Sequence, residues 1–501
     1  MMLALVMSVF LIAFVGFATD YTNFWFQRQS IQSATDATCQ AAAVDLLLYA
    51  ASFPSNGNFT PGSTGVNCGS TTNVAPCLIS QYNGYNAASS DVTVNMSFPT
   101  TVSGVTGAQG VTWPFVQVDI TKQTPAYFSA LLTGHRTRPV HATATCGLTY
   151  QLGSGYLLVL RPYPQITTFT LGTGTTLKLV GGSPVGVQVN ADSIHATSFG
   201  SGSRADLSLG DSSNTGSDFA VTGTQSDPGT TTYTRGTTGE WLSPDLPTLN
   251  PYSGMGTPSK PSNGTSASQQ HDGCPITKSP YCTEYSAGYY SAGISVASGT
   301  FALFKPGIYY MDGDLTIASG AYARMSTGYS GYDTHYGAFF YFHSGKPNIT
   351  ATNNTYTGMS SSTLTCNGSA PAGNYNIPNA LTGVVLFAPC TTNGTWTSAN
   401  GGDGDTSGTT RGILFYMDPS NTSTNPSITG SSTTVSALVG TEVLHNSSYG
   451  VTLTITGAAT DGIYTWGNIV TDIFTMTGAY QSDVLLNSTN SSPGNKVAML
   501  E

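Results

Sequence analysis

No proline precedes Pro54, and the only glycine before it is Gly16. A stretch that long without the two residues that break helices is most simply one continuous helix, from about residue 1 to 52 and roughly 78 Å long. Its first part, Met1 to Ala18 (MMLALVMSVFLIAFVGFA), is apolar except for Ser8 and Gly16. That run makes about 27 Å of helix, close to the thickness of a bilayer core, with Leu3, Val6, Phe10, Phe14 and Phe17 carrying its surface. The expectation is a helix inserted in the membrane before any assembly. A signal peptide would begin with a basic region, and none is present, which a removed upstream leader would explain. Further on, Ile31, Ala34, Ala37, Ala41, Val44 and Leu48 recur at steps of three and four, so the second half carries a stripe of mostly small residues. That stripe must pack on something.

The nearest candidate lies just downstream in the chain. Alternating runs at 92–97 (VTVNMS), 115–120 (FVQVDI) and 140–146 (VHATATC) read as strands. Between the last two, TPAYFSALLTG reads as a short helix with Thr124 as N-cap, Pro125 at the first helical position and Gly134 at its end. Residues 53–150 are thus expected to form a small antiparallel sheet with one short helix, packed on helix 1–52.

From about residue 151 to 501 the texture changes to short β-rich runs separated by Gly, Ser, Thr and Asn. A pattern of aliphatic, small, Gly, small recurs at Val296, Ile317, Ile428, Ile455 and Met476. The intervals 296 to 317 and 455 to 476 are both 21 residues, one coil of a solenoid. Apolar runs at 308–311, 338–342, 384–387 and 413–417 suit strands of stacked coils. The fold class expected is therefore mainly β with a long N-terminal α-helix: a helix-on-sheet region followed by a β-solenoid, with long loops around 200–280.

Composition narrows the function. Charged residues make up 8% of the chain, with Lys+Arg 15 against Asp+Glu 25. A net charge of −10 excludes the basic footprint of a nucleic-acid binder. Eight cysteines suit an oxidising compartment. Pairing nearest neighbours gives Cys68 with Cys77, Cys274 with Cys282 and Cys366 with Cys390, which leaves Cys39 for Cys146. Eight cysteines allow on the order of a hundred connectivities, so other pairings stay open.

The first fifty residues resemble the N-terminal segment of the TadE/TadG-like proteins of Tad (Flp-type) pilus systems. The residues concerned are Asp20 at the outer end of the apolar run, then Ile31, Gln32, Ala34, Asp36 and Ala37, followed by Ala41, Ala42 and Ala43. Thr35 and Thr38 replace alanines of that signature, and Leu5 stands where processed type IV pilins carry a glutamate. The resemblance implies a pilin-related protein, inserted in the membrane first and then assembled into or onto a filament, with copies of itself and the pilus-assembly machinery as partners.

No catalytic constellation is legible. Asp312 and Asp314 (MDGDLT), and Asp403 and Asp405 (GGDGDTSG), are weak calcium candidates, since hard cations take carboxylate oxygens, but none completes a known calcium loop. The histidines lack the spacing of a zinc site, and no nucleophile motif occurs. Neither an enzyme nor a bound cofactor is expected. Tyrosines crowd 285–336 and could stack on sugars or fill a core. The reading reached is a structural filament subunit, its N-terminal helices forming the filament core. The rival is a membrane-anchored surface adhesin whose solenoid binds glycans.

Overall fold

The computed structural model describes the chain apart from residues 1, 54–58, 109, 154–156, 163–165, 270–281, 327–336, 352–358, 361–379, 390–411, 432–433, 458–462, 479–480, 487–491 and 501. Side chains of 2–6, 8–10, 12, 131–132, 150–153, 359–360, 380–381, 481–486 and 492–496 also lie outside the described set. The chain forms two compact units, Met1–Gln151 with Gly494–Glu501, and Leu152–Pro493.

In the first unit the helix-only opening becomes α1, Met2–Ala50. Four threonines inside it, Thr19, Thr22, Thr35 and Thr38, return their hydroxyls to the carbonyl four residues back, so a residue type that usually competes with helix is satisfied within it. The sheet consists of β1 (Val66–Asn67), β2 (Val92–Ser97), β3 (Phe115–Pro125), β4 (Thr137–Gly153) and the C-terminal strand Ser492–Leu500, in that spatial order. β2 shows the alternation read from its sequence, with Val92, Val94 and Met96 buried and the residues between them exposed. β3 and β4 pair antiparallel over eleven residues, from Phe115↔Gly147 to Pro125↔Thr137.

Two helices are shorter than α1. α2 spans Ala75–Tyr82, and α3 spans only Ser129–Thr133 and ends on Gly134 at φ 73. The expected start of the second at Thr124 is corrected: Thr124 and Pro125 belong to β3, and Thr124 is buried with its hydroxyl unpartnered. Pairing with β4 holds that segment extended, so the cap has to come from elsewhere. Two disulfides staple the unit. Cys39–Cys146 joins α1 to β4, and Cys68–Cys77 joins the β1 end to α2.

The second unit is built almost wholly from parallel strands in sheets of eleven, ten and eight, an arrangement consistent with a β-helix-like fold. Successive strands visit the three sheets in turn. Phe301–Phe304, Gly307–Met311 and Leu315–Ile317 make one circuit, and Tyr322–Met325, Ala338–Phe342 and Pro347–Ala351 lie beside them in the next. The 21-residue interval is a register: Val296 faces Ile317, and Ile455 faces Met476. Inward side chains stack from circuit to circuit, as in Tyr309–Phe340 at 4.8 Å and Phe169–Phe474 at 5.4 Å between ring centroids.

The order of circuits does not follow the chain. Leu157–Val159 pairs with Val185–Val189 on one side and with Ile469–Thr471 on the other. The chain therefore enters the stack in its interior, runs through residue 242 to one end, and resumes at the other end with Ser266–Gln269, which pairs antiparallel with Cys282–Tyr285. Residues 243–265 make the return along the ten-stranded sheet. Asn190 bonds Thr248, Asn468 bonds Tyr252, Thr257 bonds Asp418, and Lys260 reaches Asp312 at 3.6 Å, each partner one or more circuits further along. Tyr252 and Met255 of this strap cover an apolar row that includes Tyr310, Tyr341, Tyr416 and Val443. The loops expected around 200–280 are thus in part strands (Arg204–Gly210, Asp218–Val221, Tyr233–Thr234, Trp241–Leu242, Ser266–Gln269) and in part this strap.

Candidate functional site: the exposed face of the first helix

One face of α1 is pinned to the first unit. At its centre Ile31, Ala34, Thr35, Thr38, Cys39, Ala42, Ala43 and Leu46 are buried at steps of three and four. Of the stripe read from the sequence, Ile31 and Ala34 lie on this line, while Ala37, Ala41, Val44 and Leu48 form a half-buried shoulder beside it. The centre was disguised by Thr35 and Thr38, which look polar but have no unmet hydrogen bond.

The same face continues toward the N-terminus through Asp20 and Gly16. Asp20 is 2% exposed, and its carboxylate accepts the backbone N–H groups of Tyr127 (3.1 Å), Phe128 (2.9 Å) and Ser129 (2.6 Å). It caps the first turn of α3, the role the sequence had suggested for Thr124. Burial by itself would raise the pKa of this carboxyl, but the three amide donors favour the charged form enough to hold it below the ordinary aspartate value. Gly16 allows the Phe128 ring to lie against the helix backbone, since a Cβ there would meet ring atoms at 2.5 Å. Nearer the other end Asp45 is buried, with one oxygen unpartnered and the other held by the Ala75 amide; burial pushes its carboxyl up to about 6. That contact supplies the missing cap of α2, whose N-cap Val74 has no side-chain acceptor.

With one side held in this way, the opposite side is left open. Met7, Leu11, Phe14, Val15, Phe17, Tyr21, Trp25 and Phe26 are all more than half exposed, Phe14 at 75% and Phe17 at 60%. So many large apolar side chains within twenty residues mark an association surface, because each would gain about 1.5 to 3 kcal/mol on leaving water. The side chains of Leu3, Val6 and Phe10 lie outside the described set. Among the described residues no helix is long and apolar enough to cross a membrane. The expected membrane insertion of this helix is therefore not supported: polar Thr19, Asp20, Thr22 and Asn23 interrupt its described apolar side chains, and Asp20 is committed to the α3 loop.

The remaining candidates lie in the second unit. Asp312 accepts the Tyr289 hydroxyl (2.8 Å) and pairs with His343 (2.7 Å) and Lys260, and Asp314 binds the Lys346 amide and the Asn348 side chain. Asp403 and Asp405 lie outside the described residues, as do Cys274, Cys366 and Cys390; Cys282 is disulfide-bonded. Among the described residues no three His, Cys, Asp or Glu side chains converge as a metal site. Of the crowded tyrosines, Tyr309 and Tyr310 are buried, while Tyr329, Tyr332 and Tyr336 are not among the described residues.

No curated protein matches the sequence. Among solved structures, the crystal structure of the competence-associated pilin ComZ from Thermus thermophilus aligns over 82% of this chain and 83% of its own, at 6% identity and a TM-score of 0.22. The helix that carries Asp20, Gly16 and the exposed apolar face corresponds to a family match: residues 1–45 are similar to the family described as "Putative Flp pilus-assembly TadE/G-like".

Proposed function

We propose that this chain is a structural, pilin-like subunit of an extracellular or cell-surface filament. The apolar face of α1 packs against α1 of neighbouring copies, and the parallel-strand body, a β-solenoid in this reading, faces outward. One observation carries the proposal: α1 is fixed on one side by Asp20, Gly16 and the Ile31–Leu46 line, and on the other presents eight large apolar side chains to solvent. The family match over residues 1–45 supports a pilus-associated role, with the assembly machinery as a transient partner. The body acts as scaffold and turns over no substrate; its Asp312 carboxylate is occupied by Tyr289, His343 and Lys260.

Phe14→Asp tests the reading. Phe14 is exposed, so the substitution should leave the unfolding temperature of the isolated chain unchanged, yet it places a charge in the helix contact and should cut filament yield roughly tenfold or more. Electron microscopy of sheared surface material gives the answer, and filaments at normal yield from this variant would refute the apolar contact.

A further inference from the structure

Charge is unevenly divided between the two units. Residues 152–493 hold 19 acids against 10 bases, and so account for nine of the ten net negative charges. The first unit has few bases, but Arg28, Arg136 and Arg138 are all exposed and have no acidic partner among the described residues. Two of them line a groove of about 390 Å³, in which Arg28, Arg138 and His141 surround Tyr21, Phe24 and Trp25. Two unpaired guanidinium groups beside aromatic rings make a site for carboxylates.

The second unit offers a matching surface. Several of its carboxylates already have a base: Asp206 has Arg204, Asp227 has Arg235, Asp312 has Lys260 and His343, Glu284 has Lys305, and Asp472 has His445. Asp218, Glu240 and Asp245 have none among the described residues. Asp218 and Glu240 are register neighbours on the last two circuits of the stack, where Phe219 faces Trp241 and the Asp218 carboxylate accepts the Glu240 amide at 2.7 Å. Asp245 comes shortly after, its amide on Val221. Burial and the two like charges beside it push the Asp218 carboxyl upward, and an incoming cation would relieve that repulsion.

We propose that the Arg28–Arg138 groove of one copy receives the Asp218–Glu240–Asp245 edge of a second copy. This is a head-to-tail contact, and it rests on the filament reading for there being neighbouring copies. Because the two surfaces differ, the contact is heterologous, and each copy keeps one free groove and one free edge for a further neighbour. Apolar helix packing alone would leave the register between copies free to slide, and a charged contact at Arg28 and Arg138 would fix it.

The full chain in a nonionic detergent, which covers the apolar helix face from Met7 to Phe17 and leaves the Arg28 and Arg138 guanidinium groups in water, isolates this contact. Sedimentation velocity should show self-association at 50 mM salt that weakens at least tenfold at 500 mM, as expected when exposed charges are screened. Arg138→Glu and Glu240→Lys should each sediment as monomers. Mixed together, they retain one intact groove and one intact acidic edge, so a one-to-one dimer should return in the mixture. Monomeric wild type, salt-independent association, or a mixture that stays monomeric would each overturn the proposal. If the dimer forms as described while wild-type chains make no filaments on cells, the contact stands and the filament reading fails. Normal filaments from Glu240→Lys cells would leave the filament reading intact and refute this contact.

Discussion

Two aspartates of α1 act as distant caps, with opposite energetic signs. Asp20 is charged and fully hydrogen-bonded, so Asp20→Ala should leave three amides of the α3 turn without an acceptor and cost about 3 kcal/mol in urea unfolding. Because its carboxyl is held below the ordinary aspartate value, its contribution is present at neutral pH and is lost only as pH falls through that lowered value. Asp45 is the reverse case. Its carboxyl is pushed up to about 6, so the folded state takes up a proton more readily than the unfolded chain, and stability falls as pH rises from the ordinary value of 3.8 to about 6. Asn at this position keeps an oxygen for the Ala75 amide and carries no charge. Asp45→Asn should therefore stabilise the protein by about 2 kcal/mol at pH 7.5 and flatten the pH dependence of its melting between pH 4 and 6.5. Neither role was legible in the sequence: nothing in the spacing of Asp20 or Asp45 says which of the next hundred residues will present amides to them.

At the level of elements, the long helix was legible because its signal is an absence, no proline and one glycine over fifty residues. What was not legible is which side packs, since the line of contact runs through threonines and a cysteine that look unsuited to a core. Gly16 shows how contact overrides propensity. In an exposed helix, Gly→Ala stabilises by about 1 kcal/mol, yet here the added methyl would meet the Phe128 ring, whose own amide is tied to Asp20. Gly16→Ala should therefore lower stability, and a rise in melting temperature by calorimetry would show that Phe128 is free to move away. Elsewhere, stacking makes pattern visible across circuits. The residues that come after successive strands of the ten-stranded sheet are Asp312, His343, Asp418, His445 and Asp472. Acid and imidazole alternate along that corner, with His343 on Asp312 and His445 on the buried Asp472, so no two carboxylates fall directly one above the other. The sequence shows these residues but not their adjacency, because the steps between them vary from 27 to 75 residues.

For the whole molecule, the 21-residue intervals reveal that circuits stack but not which circuit meets which. Every circuit offers the same kind of apolar row to a neighbour, so pattern alone cannot exclude the permuted order in which Leu157–Val159 sits between Val185–Val189 and Ile469–Thr471. The consequence is a body whose first and last circuits hold each other, while the chain passes on to one more strand, Ser492–Leu500, at the edge of the first unit's sheet beside β4. The first unit is therefore completed only after the second has been traversed. Deleting Gly494–Glu501 should remove an edge strand from the first unit and leave every circuit of the body paired. Calorimetry of the full chain should then resolve two transitions, of which only the one also lowered by Asp20→Ala shifts. Loss of edge pairing worth about 2 kcal/mol moves a unit of this size by roughly 4 to 8 °C. An unchanged first transition would mean that the C-terminal strand contributes nothing to the sheet, and a shift of both together would mean that the two units unfold as one.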